Sequence, residues 1–325
     1  MPVAPPGPDS IRETARRLGD LVVRTPVLRC PAIESALPAR VEVHAKLEFL
    51  QRTGTFKARG ALAVAMGLSE DERAAGLTAV SAGNHAIAVA YAAQAIGSTA
   101  KVVMIRSANP WRVQRCRQFG ANVVFADDVH DAFRVAEEIR SDERRIMIHP
   151  FEGAGVVLGT ATIGLELIEQ LGTFDAVLVP IGGGGLCAGI ASAVKQLKPS
   201  CRVIGIEPEG ADSMHRSFRH GSPQSIDRVR TIADSLGAPY AMPYSFDLCR
   251  QFVDELVLLS DESLRESMRF LFRELKLAVE PACAASTAAL LGPLRTRFED
   301  QRVVLIMCGS NIDWATFARH AALEP

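Results

Sequence analysis

Short apolar runs alternate with longer Ala-rich stretches along most of this chain, and that rhythm predicts its architecture. Asp9-Ser10 caps a first helix over Ile11 to Leu18, and Thr25-Pro26 starts an extended segment. Val41 to Leu47 alternates apolar and polar residues as a half-buried strand does, and an Ala-rich helix over Ala58 to Met66 follows. Strands are predicted at Leu77 to Val80, Lys101 to Ile105, Asn122 to Phe125 and Arg145 to Ile148. Helices between them end near Ala95 and cover Pro110 to Phe119 and Val129 to Ile139. The pattern resumes with a helix over Ala161 to Gln170, strand Asp175 to Pro180, helix Leu186 to Leu197, strand Arg202 to Glu207 and helix Ala211 to Arg219. Gly221 to Tyr244 carries turn signals and little periodicity. Strand Glu255 to Leu259, helices Ser263 to Leu275 and Pro281 to Leu291, strand Val303 to Met307 and a helix after Asn311 complete the chain. Alternation at this spacing implies an α/β protein with parallel sheets covered on both faces, and Val102 to Ile105 is apolar throughout, as a doubly buried strand is.

Composition narrows the partner. The 325 residues are 48% hydrophobic and 22% charged, enough for one large domain or two smaller ones. A formal net charge of -1 offers no field for nucleic acid or an anionic membrane, so a small molecule is expected. The cysteines (Cys30, Cys116, Cys187, Cys201, Cys249, Cys283, Cys308) are odd in number, scattered and without a Cys-x-x-Cys pair. That argues against a disulfide framework or a structural zinc site and for a reducing compartment. The Pro-rich start, Met1 to Pro8, has no apolar signal core, and no apolar run of bilayer length is evident. Cytoplasmic residence is the expectation.

Chemistry concentrates where strands hand over to helices, the usual place for ligands in parallel sheets. Lys57 ends a Gly-bearing loop as its helix begins, at a dipole end that favours a neutral, nucleophilic amine, although a lone lysine there is ordinarily just solvated. Ser81-Ala82-Gly83-Asn84-His85 offers backbone N–H groups, a hydroxyl and an amide to a carboxylate or phenolate, or simply caps a helix. In Gly182-Gly183-Gly184-Gly185-Leu186, glycines let consecutive N–H groups converge on an anion. Gly183 to Ala188 also fits G-x-G-x-x-A, with Glu207 at about the spacing of a ribose-binding acid, which keeps a nicotinamide oxidoreductase open. A tight nest suits one phosphate better, and a pyrophosphate site leaves Lys57 unexplained. Met307-Cys308-Gly309-Ser310-Asn311 places Cys308 or Ser310 at the sheet's centre as a neutral hydrogen-bonding group, or as a small buried residue.

In order, Thr53-Gly54-Thr55-Phe56-Lys57-Ala58-Arg59-Gly60, Ser81 to His85, Gly182 to Leu186, Glu280-Pro281 and Cys308 to Asn311 resemble the serine/threonine dehydratase group of fold-type II pyridoxal-phosphate enzymes, which includes serine racemase. The resemblance runs from about Leu28 to the C-terminus. It implies a tryptophan synthase β-like fold of two open, twisted, mostly parallel sheets with helices on both faces. Residues 1–48 and 146–325 would form a large cofactor-binding domain, and 49–145 a small domain closing over the substrate. It implies pyridoxal 5'-phosphate as cofactor, with Lys57 as the Schiff-base lysine and Phe56 packed by the ring. Asn84 would meet the phenolic oxygen, Gly182 to Gly185 with Leu186 the phosphate, and Cys308 the pyridine nitrogen. Ser81, Ala82, Asn84, His85 and Gly237 would line the substrate site, with Glu280 and Tyr240 as further candidates, Tyr240 shaping the pocket for the β-substituent. The implied reaction is loss of water and ammonia from a β-hydroxy amino acid of threonine or serine type, with Lys57 as base at Cα, giving a 2-oxo acid. A neutral Cys308 makes the ring a weaker electron sink, which favours elimination over transamination. The resemblance also implies a homodimer.

Departures from the group sharpen these expectations. Racemases carry a serine where this chain has Ala82, so the dehydratase leads and serine racemase is the alternative. Metal-binding relatives use a Glu, a backbone carbonyl and an Asp; here the positions are Glu207, Ala211 and Ser213, which leaves a Mg or Ca ion open, and Asp212 points elsewhere if its stretch is helical. Gly155 to Thr162 lacks the usual Ala-Gly-Gln-Gly-Thr, which puts the packing near the phosphate end in question. The end at Pro325 leaves no room for a C-terminal regulatory domain, so control by isoleucine is not expected. Other substrates, 3-hydroxyaspartate, phenylserine or a degradation-pathway intermediate, stay open, as does a pyridoxal-phosphate binder without turnover.

Overall fold

The apolar runs become strands of two sheets in the structure, a computed structural model that describes residues 3–322. Met1, Pro2 and the last three residues, on which the readings of the two termini partly rest, lie outside the described residues. The strands are β1 (Val27–Arg29), β2 (Glu42–Lys46), β3 (Leu77–Val80), β4 (Ala100–Ile105), β5 (Asn122–Ala126), β6 (Ile146–Met147), β7 (Ala176–Pro180), β8 (Arg202–Pro208), β9 (Glu255–Leu259) and β10 (Arg302–Ile306). The larger sheet has the order β1-β2-β10-β7-β8-β9 and is parallel except where β1 meets β2. The smaller has the order β5-β4-β3-β6 and is parallel throughout. All of β7 is buried, as its unbroken apolar sequence requires. The carboxyl ends of β3, β7 and β10 feed the loops at 81–83, 181–184 and 307–311, so three of the chemically loaded segments sit where parallel sheets place ligands.

The helix predicted from Ala161 runs instead over Ala154–Leu171. Gly155, Gly159 and Gly164 lower its intrinsic propensity, which hides its first turns from a periodicity reading. They are there for contact. A Cβ on Gly159 would stand 2.4 Å from the Arg59 carbonyl oxygen, and one on Gly164 would stand 2.8 Å from the Ala193 Cβ. The segment that departs from the group's usual motif is thus a close-packing seam for helices Lys57–Ala65 and Gly185–Leu197. This helix also amends the reading that no apolar run reaches bilayer length. By length and composition it would, but most of it is buried inside the fold, as a core helix is. Helix Glu70–Ala75 is not among the predicted elements; Ser69 and Glu72 start it with a capping box. Helix Pro243–Phe252 is also unpredicted, because its cap is remote: Glu152 accepts the N–H groups of Tyr244 and Ser245 at 2.7 and 3.1 Å. Helix Ser213–His220 begins two residues later than predicted, after a single turn over Glu209–Ala211.

Two residues past Lys57, the fully buried Arg59 joins helix Lys57–Ala65 to the rest of the core. Its Nε and Nη2 each donate to Glu48 at 2.9 Å, and its Nη1 and Nη2 to Glu166 at 2.6 and 3.0 Å. Lys46, the last residue of β2, donates to Glu166 at 2.5 Å and to the Thr25 carbonyl at 2.8 Å. Two cations and two carboxylates cancel in a site shut off from water. Desolvation opposes ionisation of Glu48, but Arg59 beside it outweighs that and holds its carboxyl below the ordinary range. Replacing one member strands a partner in low dielectric. Arg59→Met should therefore cost about 3–5 kcal/mol in urea unfolding, and a loss under ~1 kcal/mol would show that the network does not stabilise the fold.

Candidate active site

Between the two sheets lies a cleft of about 340 Å³. Lys57, the first residue of its helix, sits half-buried in its wall, with Nζ donating to the Pro150 carbonyl at 2.5 Å and lying 5.0 Å from the Phe56 ring centroid. Burial strips water from its ammonium and lowers the pKa to about 8, with the Glu280 carboxylate opposing. His85 lies buried alongside, and its Nε2 donates to the Ile148 carbonyl at 2.7 Å. Burial first, and the Lys57 charge second, hold its pKa near 3; the same causes hold His149 near 4. Both imidazoles stay neutral and bind a proton far less readily than the Lys57 amine does.

Asn84 opens helix Asn84–Ala95, yet it does not cap it; Gly83 occupies the cap position and lends no side chain. The Asn84 amide instead turns inward. Its Nδ2 donates to Glu280 at 2.9 and 3.1 Å and to Ser235 Oγ at 3.0 Å, while its Oδ1 accepts from Asn311 at 2.8 Å. Asn311 also donates to the Thr53 carbonyl at 2.8 Å. The Glu280 carboxyl is pushed up to about 7 by burial, with Arg112 opposing. Arg112 reaches Glu280 at 4.0 Å and donates to Asp234 at 2.5 Å. Cys308, directly after the core of β10, is buried with its thiol well above the ordinary range, chiefly through its hydrogen bond with Cys283 and desolvation, and so stays uncharged.

The glycine loop follows β7. Gly184 takes φ 95°, and none of the amides of Gly182, Gly183 and Gly184 has an acceptor within the described residues. They face the cleft at the start of helix Gly185–Leu197, a ready anion site. A second reason for glycine appears here. A Cβ on Gly183 would stand 2.2 Å from the Phe151 ring, and one on Gly185 would stand 2.4 Å from the Phe151 carbonyl. Phe151 is held by Ser245, whose hydroxyl donates to its carbonyl at 2.7 Å.

Phe56, Lys57, Ser81, Ala82, Asn84, His85, Gly182 to Leu186, Gly237, Tyr240, Glu280 and Cys308 all line this one cleft. Glu207, Ala211 and Ser213 do not. Glu207 caps helix Ser213–His220 by accepting the N–H groups of Met214 and His215 at 2.9 and 2.7 Å, and burial raises its carboxyl to about 8. Asp212 is turned to Arg216 at 2.9 Å, the Ser213 hydroxyl brings no charge, and no group of three His, Cys, Asp or Glu side chains gathers among the described residues. One carboxylate engaged by two helix N–H groups, with Asp212 turned to Arg216, is a poor donor set for a hard dication, and no step below is routed through a metal. Arg112, Asp234, Phe151 and Asn311 were not singled out from the sequence. Asn311 lies inside a recognised motif, whereas Arg112 sits in a helix, Pro110–Gln118, whose polar pattern looks like plain surface.

A family model described as pyridoxal-phosphate dependent enzyme matches residues 18–309. The chain is 57% identical over 281 residues to the phenylserine dehydratase of Ralstonia pickettii, covering 86% of each chain. It is 36% identical over 306 residues to the L-threonine ammonia-lyase of Thermotoga maritima, covering 94% of this chain and 75% of that one. Maize serine racemase shares the fold with a TM-score of 0.91 at 32% identity, covering 96% of this chain and 95% of that one. The chain belongs to the pyridoxal-phosphate dependent enzymes, in the fold-type II architecture, and the nicotinamide reading falls. Within that family it is a lyase.

The cleft fits the cofactor: an amine of lowered pKa, a nest of free amides for a phosphate and an uncharged thiol occupy one cavity. Capture of the cofactor needs the neutral amine. The rate at which cofactor-free protein takes up pyridoxal phosphate should therefore rise with pH through about 8 and level off above it. Glu280 raises the Lys57 pKa when ionised, so Glu280→Gln should move the inflection to lower pH, as stopped-flow absorbance would register. An inflection near that of free lysine would refute the desolvation argument.

Proposed function

We propose that this protein eliminates water from a β-hydroxy amino acid to an enamine, which then takes up water and loses ammonia to give a 2-oxo acid. The observation that carries the reading is the placement of the Lys57 amine in one cavity with the glycine nest and the Asn84–Glu280 pair. Bound pyridoxal phosphate supplies the electron sink that makes the Cα proton removable. Lys57 Nζ takes that proton. The N-terminus of helix Asn84–Ala95, with Ser81 ahead of it, holds the substrate carboxylate through unpaired N–H groups and the helix dipole. Asn84, Gly182 to Leu186 and Cys308 line the same cleft and would hold the cofactor by its phenolic oxygen, its phosphate and its ring nitrogen respectively, and an uncharged Cys308 thiol would leave that nitrogen without a proton.

Ala82 lines the cleft where a racemase needs a second proton donor, and its methyl has none to give. Lys57 then serves one face of Cα alone, which supports elimination over racemisation. The same proposal has residues 49–145 closing on residues 1–48 and 146–325, with the Arg112–Asp234 pair bridging the two walls. Cytoplasmic residence, supported by seven buried and unpaired thiols, and a homodimer belong to it as well.

Lys57→Ala should abolish ammonia release across a panel of β-hydroxy amino acids, together with retention of the cofactor after borohydride reduction. Substantial residual turnover in that variant would refute Lys57 as the base. With L-serine, chiral chromatography should find negligible D-serine; D-serine formed as fast as ammonia is released would restore the racemase.

A further inference from the structure

The side chain of a β-hydroxy amino acid must match the cleft wall it meets. Val129 and Phe133 stand four residues apart on helix Val129–Glu143 and so share one face. Both line the cleft. They are 56% and 53% exposed, while Ala132, Ala136 and Ile139 of the same helix are buried. An apolar pair left wet at a cleft is a feature of ligand-binding surfaces. Tyr240 lines the same cleft, half-buried, its ring 6.0 Å from that of Phe151. Phe151 packs edge-on against His149 at 4.5 Å, so the ring beneath Tyr240 is fixed.

Charge argues in the same direction. The cationic side chains lining the cleft are Lys57 and Arg112, and Arg112 is committed to Asp234 with Glu280 at 4.0 Å. Among the described residues no free cation lines the cleft to await a β-carboxylate, and a serine or threonine side chain has little apolar surface to set against Val129 and Phe133.

We infer that the cleft selects β-aryl β-hydroxy amino acids, with the aryl ring held between the Val129–Phe133 face and Tyr240. This rests on the dehydratase reading of the same site and names its substrate class and the residues that set it. Burying a ring of phenyl size favours binding by about 10- to 100-fold.

The test uses the holoenzyme and L-phenylalanine, which has no β-hydroxyl to lose, against L-2-aminobutyrate, with binding read from the cofactor's absorption. Phenylalanine should bind at least about tenfold tighter. Phe133→Ser and Val129→Ser, both at exposed positions that the fold tolerates, should each move the ratio of dissociation constants toward one. A ratio near one in the unsubstituted enzyme, or one that neither substitution moves, overturns the aryl clamp. Ammonia release from 3-phenylserine and threonine is measured alongside. Its complete absence would sink the dehydratase reading, while the binding ratio still decides the clamp.

Discussion

The neutral quartet of Lys46, Glu48, Arg59 and Glu166 is the constraint on which the cleft depends. It ties the end of β2, the turn after it, and helices Lys57–Ala65 and Ala154–Leu171 into one rigid joint. Lys57 emerges from that joint two residues before Arg59, so its amine inherits the joint's position. The close approach of the helices is possible only because Gly159 carries no side chain against the Arg59 carbonyl. Charge and packing therefore enforce each other: separating the helices would break the guanidinium bridges, and losing the bridges would leave charge in a dry core.

Within the cleft, desolvation does most of the chemical tuning. It brings the Lys57 amine near 8, holds two imidazoles neutral and lifts Glu280 to about 7. The groups that remain charged are paired across the cavity, as Arg112 is with Asp234. A nucleophilic amine in mostly neutral surroundings is what proton abstraction from carbon requires near physiological pH.

Much of this was legible in the sequence, because strand and helix periodicities are local, the glycine and Asn84 segments sit at strand ends and Lys57 opens a helix. The strands at Leu77–Val80 and Glu255–Leu259 and the helix Pro281–Leu291 fall where the apolar pattern puts them. What stayed hidden depends on distant partners. Helix Pro243–Phe252 is capped by Glu152, and the glycines of helix Ala154–Leu171 look like breakers until their neighbours are known. Arg112 shows no signal in its own helix, since its role comes from Asp234 and Glu280, far along the chain. Glu207 was legible as a strand-end acid, but its role as the cap of a helix comes from the N–H groups of Met214 and His215, which the strand pattern does not show.

Val129 and Phe133 carry none of the fold's weight. Each is more than half exposed, whereas Arg59 and Gly159 are locked in the interior. The two kinds of position therefore face different evolutionary freedom. The joint beneath Lys57 can change only through coordinated replacements, while the face above the cleft can be rewritten one residue at a time with little loss of stability. A lineage built on this scaffold can keep its reaction and exchange its diet.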